Sequence, residues 1–218
     1  MDESSPVSVP SSLDHQVAER EIANGLRQYD VAIEIIKTFL DPEYPFSLRP
    51  HLLLELQALA VDGIEPSPGQ WRTGEVRISK SKHAPPPPFL VPFKVQEMCD
   101  YVNDNFHEKT PFHLAAYVMW RLNWIHPFSD GNGRTSRVLS YMVLSVALKA
   151  LLPGSPTIPQ LIQRDRTPYF KALETADAAD LEGRIDLTEM EVLIKHLLAA
   201  QLLSVIDQGS GETHRAGS

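Results

Sequence analysis

HPFSDGNGRTSRVLSYMVLSVALKALL, His126 to Leu152, joins a polar loop to the best apolar helix-forming run in the chain. Its first twelve residues hold a histidine, an aspartate, two glycines around an asparagine, and two arginines. The rest, Val138 to Leu152, is apolar nearly all round, the pattern of a helix at the centre of a bundle. Arg134 and Arg137 fall in the first turn of that helix. Cations there face the positive end of the helix dipole and are mildly destabilising. With a net charge of −8, the chain has no surplus of cations to scatter. This stretch is arranged to hold an anion.

The rest of the sequence supplies a helical frame. From Asp14 to Leu40, Val17, Ile22, Leu26, Val31, Ile35, Ile36 and Phe39 recur at helical spacing, and Pro42 and Pro45 stop the helix. Pro50 to Val61 reads as a second helix with proline in its first turn, closed by Asp62-Gly63. Helices are expected over about Phe93–Phe106, from Thr110-Pro111 to about Trp124, over Ile158–Asp165, from Thr167-Pro168 to about Ala179, and from a Thr188–Glu191 capping box to Ile206. Between them PSPGQWRTGEVRISKSKH, residues 66–83, has turn residues and then alternation through Val76 and Ile78, which predicts a short hairpin or exposed strand. Pro85 to Pro88 forces an extended segment after it. The fold class is all-α, a helical bundle with one small β-hairpin.

Composition sets the outer limits. The chain has 218 residues, 43% of them hydrophobic and 22% charged, which suits one large globular domain or a domain with a helical extension. The acidic balance argues against broad nucleic-acid binding. A single cysteine, Cys99, rules out an internal disulfide and fits a reducing compartment. The first residues lack the apolar core of a signal peptide, and no apolar run reaches membrane-spanning length. The expectation is a cytoplasmic protein bound to neither membrane nor nucleic acid. Residues 1–13 and 207–218 read as disordered tails, 14–44 as a helical extension, and 45–206 as the main domain.

The residue types at 126–137 point to phosphate chemistry. Gly131 and Gly133 flank Asn132 where loop becomes helix, and glycine there admits positive φ and close approach to a ligand. The unpaired N–H groups of the first turn form an anion site. Arg134 and Arg137 share a helix face, and two guanidinium forks suit a polyphosphate. Asp130 is placed to hold magnesium between phosphates. His126, four residues earlier, is a candidate base for an attacking hydroxyl. Base, metal ligand, anion cradle and charge clamps are the parts that phosphoryl or nucleotidyl transfer needs.

HPFSDGNGRTSR resembles, without gaps, the signature of the Fic domain family. GQWRTGEVRI with the following APPPP resembles that family's upstream flap, and FHLAAYVMWRLNWI, RTPYFKALETAD and DLTEMEVLI resemble its flanking helices. The resemblance covers about residues 45–205. It implies a Fic-like fold and transfer of AMP from ATP to a Ser, Thr or Tyr hydroxyl of a target protein, with release of pyrophosphate. On the matching positions, it implies that His126 is the general base and Asp130 the Mg2+ ligand. Gly131, Asn132 (main chain and side chain) and Gly133 would form the anion hole, with Arg134 on the β-phosphate and Arg137 on the γ-phosphate. Thr73, Gly74, Glu75 and Val76 would dock the target by strand addition.

Many family members carry an inhibitory helix, Ser/Thr-x-x-x-Glu-Gly/Asn, and this sequence has no match to it. Glu182 has Ala178 at the Ser/Thr position, and Glu19 and Glu21 lack the rest of the pattern. Restraint is therefore absent, supplied by a separate inhibitory partner, or supplied by a nonstandard glutamate. Family members often pair through helical faces, so a homodimer is the expectation for oligomeric state. Two other functions stay open: transfer of another phosphate-containing group by the same fold, and a non-catalytic module that presents its flap to partners. Within the first, the resemblance implies lysine at the position of Gly133 in phosphotransferring relatives, which speaks against phosphotransfer and leaves transfer from another nucleotide or of phosphocholine open.

Overall fold

The computed structural model describes residues 12–78, 81 and 83–215. Eight α-helices run through them: α1 (Ser12–Leu40), α2 (Pro50–Val61), α3 (Val91–Asp104), α4 (Pro111–Ile125), α5 (Asn132–Ala147), α6 (Ile158–Arg164), α7 (Thr167–Leu181) and α8 (Thr188–Arg215). Pro88–Leu90 forms one 3-10 turn ahead of α3. The all-α reading holds. None of these helices is long and apolar enough to cross a membrane. The tail expected at residues 1–13 lies almost wholly outside the described residues, whereas α8 continues to Arg215, beyond the end expected at Ile206.

α5 is the central helix. Every residue from Thr135 to Val146 is buried, and α5 packs on α4 most extensively, then on α1, α2 and α6. Its own apolar residues meet Leu114, Val118, Leu122 and Ile125 of α4, all fully buried. Each such side chain contributes about 1.5–3 kcal/mol by leaving water. This core fixes the start of α5, and with it the polar loop, against the end of α4.

α5 begins six residues before the apolar run and ends five residues earlier than expected. At the start, Gly131 caps the helix in a left-handed conformation, and Thr135 N–H donates to Gly131 C=O at 2.9 Å. At the end, Lys149 takes φ 55°, and the Lys149 and Ala150 amides donate to the Val146 and Ser145 carbonyls. That double closure terminates the helix ahead of Pro153 and Gly154, where the sequence places the break.

α1 departs from its apolar pattern. Val17, Ile22 and Leu26 are exposed, while Asn24 and Gln28 are buried. Asn24 donates to Asp62 C=O at 2.8 Å and Gln28 to Leu56 C=O at 2.8 Å. The amides satisfy carbonyls of Leu56 and Asp62, so they face the bundle in the first half of α1, while Ala32 and Ile36 carry its buried apolar face in the second half.

The expected hairpin is not formed: no strand occurs among the described residues, and 70–78 is irregular extended chain. An isolated two-stranded ribbon is marginal in water, and no third strand lies beside it. The capping box expected at Thr188–Glu191 is also replaced. Asp186 Oδ1 accepts from Thr188 N–H at 3.1 Å, and Glu191 turns to His113 Nδ1 at 3.0 Å. His113 is thereby an interhelical histidine, its Nε2 meeting Tyr101 Oη at 2.9 Å. Cys99 is free and buried.

Candidate active site

α4 ends at Ile125, and His126 follows in the left-handed region, φ 49° and ψ 59°. A side chain rarely occupies that region, and holding it there costs on the order of 1 kcal/mol. Two bonds hold it. His126 N–H donates to Leu122 C=O at 2.9 Å, and its carbonyl accepts from Arg72 Nε at 2.7 Å. Burial pushes the imidazole pKa down to about 4, with Arg72 and His83 adding to the shift and the Asn123 main chain and Asp130 opposing it. His126 is neutral near pH 7, and its buried Nδ1 has no hydrogen-bond partner.

The loop from Pro127 to Gly131 is pinned from within. Asn132 Oδ1 accepts from Phe128 N–H at 3.0 Å, and its Nδ2 donates to Phe128 C=O at 2.8 Å. Its side chain is therefore committed to the loop, and what remains for an anion is its main-chain N–H. The Phe128 ring is fully buried and lies 5.0 Å from that of Trp71. Gln57 of α2 spans the next gap, donating to Asp130 C=O at 3.1 Å and accepting from Gly69 N–H at 2.6 Å. Gly131 has φ 81°, and an added Cβ would lie 2.9 Å from Val61 Cγ1, so conformation and space both call for glycine.

Past Gly131 the first amides of α5 lack intrahelical acceptors, as at any helix start. They open into a cleft of 310 Å³ lined by Asp130, Gly131, Gly133, Arg134, Arg137, Gln163, Arg166 and, from α1, Glu21. Arg134 Nη2 bonds Asp130 Oδ2 at 2.6 Å, and Nη1 meets Glu21 Oε1 at 3.1 Å and Ala60 C=O at 3.1 Å. Arg137 is 8% exposed and donates to Gln163 Oε1 at 3.0 Å, with no ion pair among the described residues. Burial lowers its pKa, and Arg166 and Arg134 add repulsion against the pull of Tyr169. Three guanidinium groups thus face two carboxylates, both on Arg134. The cleft wants further negative charge.

Gly133 lies under this clamp, where an added Cβ would come within 3.2 Å of Arg137 Nη1. Asp130 is the cleft's carboxylate from the signature, and no cluster of three or more His, Cys, Asp or Glu residues suited to a metal occurs among the described residues. One half-exposed carboxylate beside a phosphate cradle fits Mg2+, which uses one or two protein carboxylates and takes its other ligands from phosphates and water.

Thr73, Gly74 and Glu75 are exposed and Val76 half-buried. None of them lines the arginine cleft. Glu75 and Val76 line a second cavity of 470 Å³, together with Arg72, Ile78, His83 and the prolines that follow. His83 Nε2 lies 2.7 Å from Trp124 C=O. Site residues that pattern reading passed over are Arg72, Gln57 and Gln163. Gln57 and Gln163 carry no sequence signal, whereas Arg166 is marked by its place at the start of the TPYFKAL helix, and Glu21 by lying on the helix where a restraining glutamate was sought.

Residues 47–144 match the Fic/DOC family model. "Protein adenylyltransferase Fic" of Drosophila willistoni is 31% identical over 161 residues, covering 72% of this chain and 30% of that protein. The Drosophila virilis protein of the same name is 30% identical over 223 residues, covering 89% of this chain and 43% of that one. The chain thus spans less than half the length of these relatives. Among solved structures, Fic-1 (residues 134–508) from C. elegans superposes with a TM-score of 0.67 at 21% identity, covering 95% of this chain and 56% of that one. A Fic domain containing signaling protein from Bacteroides thetaiotaomicron gives 0.65 at 19% identity, covering 92% and 74%. The signature loop at the start of α5, the helical core around it and these likenesses agree: the chain belongs to the Fic/DOC family.

Proposed function

We propose that this chain is a protein adenylyltransferase that moves AMP from ATP to a Ser, Thr or Tyr hydroxyl of a target protein. The observation that supports this best is the under-neutralised arginine cleft at the start of α5, beside a buried neutral histidine. A triphosphate supplies the missing negative charge. The main-chain amides of Asn132 and Gly133 take phosphate oxygens, Arg134 and Arg137 hold the β- and γ-phosphates, and Asp130 holds Mg2+. The metal, when bound, neutralises charge on the phosphates.

His126 accepts the proton of the target hydroxyl as its oxygen attacks the α-phosphorus. The bond from that phosphorus to the bridging oxygen breaks, and pyrophosphate leaves with the electron pair. Arg134 must let go of Asp130 and Glu21 for this to happen, so binding exchanges internal ion pairs for phosphate contacts. The segment Thr73–Val76 aligns the target's main chain.

The test is product identity. Purified protein with MgATP and cell extract should release pyrophosphate, and His126→Ala should abolish the release. Release of ADP instead would overturn the reading in favour of phosphotransfer.

A further inference from the structure

Arg72 is the most completely bonded side chain near the site, and no role is yet attached to it. It is 6% exposed and forms no ion pair among the described residues. Its fork is filled by carbonyl groups. Nε donates to His126 C=O at 2.7 Å, Nη1 to Gly74 C=O at 3.0 Å, and Nη2 to Pro86 C=O and, at 3.4 Å, Ile125 C=O. Its own main-chain N–H donates to Pro127 C=O at 2.9 Å. A buried cation without a carboxylate is expensive, and a neutral side chain would fill the space at less cost.

The acceptors divide into two sets. Ile125, His126 and Pro127 carry the end of α4 and the strained histidine. Gly74 and Pro86 lie on the two limbs of the flap, which has no strand ladder of its own among the described residues. We infer that Arg72 is a positioning residue that joins the target-docking flap to the main chain of His126, fixing the distance from docked hydroxyl to base. This rests on the adenylyltransferase reading above. Lysine cannot replace it, because three donors on one nitrogen cannot reach carbonyls on opposite sides.

The experiment compares wild type, Arg72→Lys, His126→Ala and the double variant, with MgATP affinity measured separately from transfer to target. Arg72→Lys should retain its fold by circular dichroism and bind MgATP within about twofold of wild type. Its kcat should fall about 100-fold, the scale of a 1 Å misplacement. The double variant should be no slower than His126→Ala, because Arg72 acts only through that base. Hydrogen exchange should rise together at residues 73–78 and 125–128 and stay unchanged in α5. Retained kcat, a matching loss of MgATP affinity, additive losses in the double variant, or exchange rising throughout the core would each overturn the inference. If wild type transfers nothing, the functional reading fails, and the exchange pattern alone decides whether Arg72 couples the two segments.

Discussion

The signature loop and the flap sit side by side and are built in opposite ways. Residues 126–137 are fixed from inside by the Asn132–Phe128 pair, by Gln57 and by the buried face of α5. The described residues of 70–87 have no ladder, and their hydrogen bonds to α4 and the loop after it run through Arg72 and His83, with Trp71 packed on Phe128. The loop, which on the proposed reading must hold phosphates in one geometry, is built as an extension of the core. The flap, which on the proposed reading must accept varied strands, is tied at few points.

If that contrast is right, damage to the loop should alter chemistry and nucleotide binding, and damage to the flap should alter only target use. The largest effect is expected at His126→Ala, which should cut transfer about 100- to 10,000-fold while MgATP affinity, read by calorimetry, stays near wild type. The same histidine sets the pH profile. Its depressed pKa keeps it unprotonated well below the usual imidazole range, so kcat/KM should stay level down to about pH 5 and fall towards pH 4. A limb near 6.5, the ordinary histidine value, would mean that burial does not govern this base.

Arg137→Ala comes next. It removes charge-assisted bonds of about 1.5–3 kcal/mol, so MgATP affinity should fall roughly 10- to 100-fold. Val76→Pro sharpens the comparison from the other side: it deletes one main-chain donor on the flap and should raise the target's KM about tenfold with MgATP affinity unchanged. The smallest effect is expected at Glu21→Gln. Exposed ion pairs are worth about 0–1 kcal/mol, so freeing Arg134 should strengthen MgATP binding by up to about fivefold, and less at high salt. Weaker binding would show that Glu21 helps the site and does not restrain it.

Much of this molecule is legible in its sequence, for reasons that differ by region. α2 has the bounds that Pro50 and Asp62-Gly63 signal, and α4 starts on the Thr110 cap, because those signals are local. The left-handed Gly131 follows from a glycine at a loop-to-helix junction. The start of α5 at Asn132 agrees with that junction, whereas the burial of Thr135, Ser136 and Arg137 is not legible, because it depends on α1, α2 and α4 closing over them. The carbonyl cage that ties Arg72 to Ile125 and His126 and the contact of Glu21 with Arg134 join residues far apart in sequence, where no spacing rule operates. The hairpin failed for a related reason: alternation says that a segment can pair, and not that a partner strand is present.

The central claim is that the cleft presents the α-phosphorus of ATP to a hydroxyl activated by His126. The most direct measurement is a paired incubation with MgATP labelled at the α- or the γ-phosphate, with target-containing extract, for wild type and His126→Ala. Label retained on protein only from the α-position, and lost in the variant, is the expected result. Label arriving from the γ-position, or α-label undiminished without His126, would contradict the account.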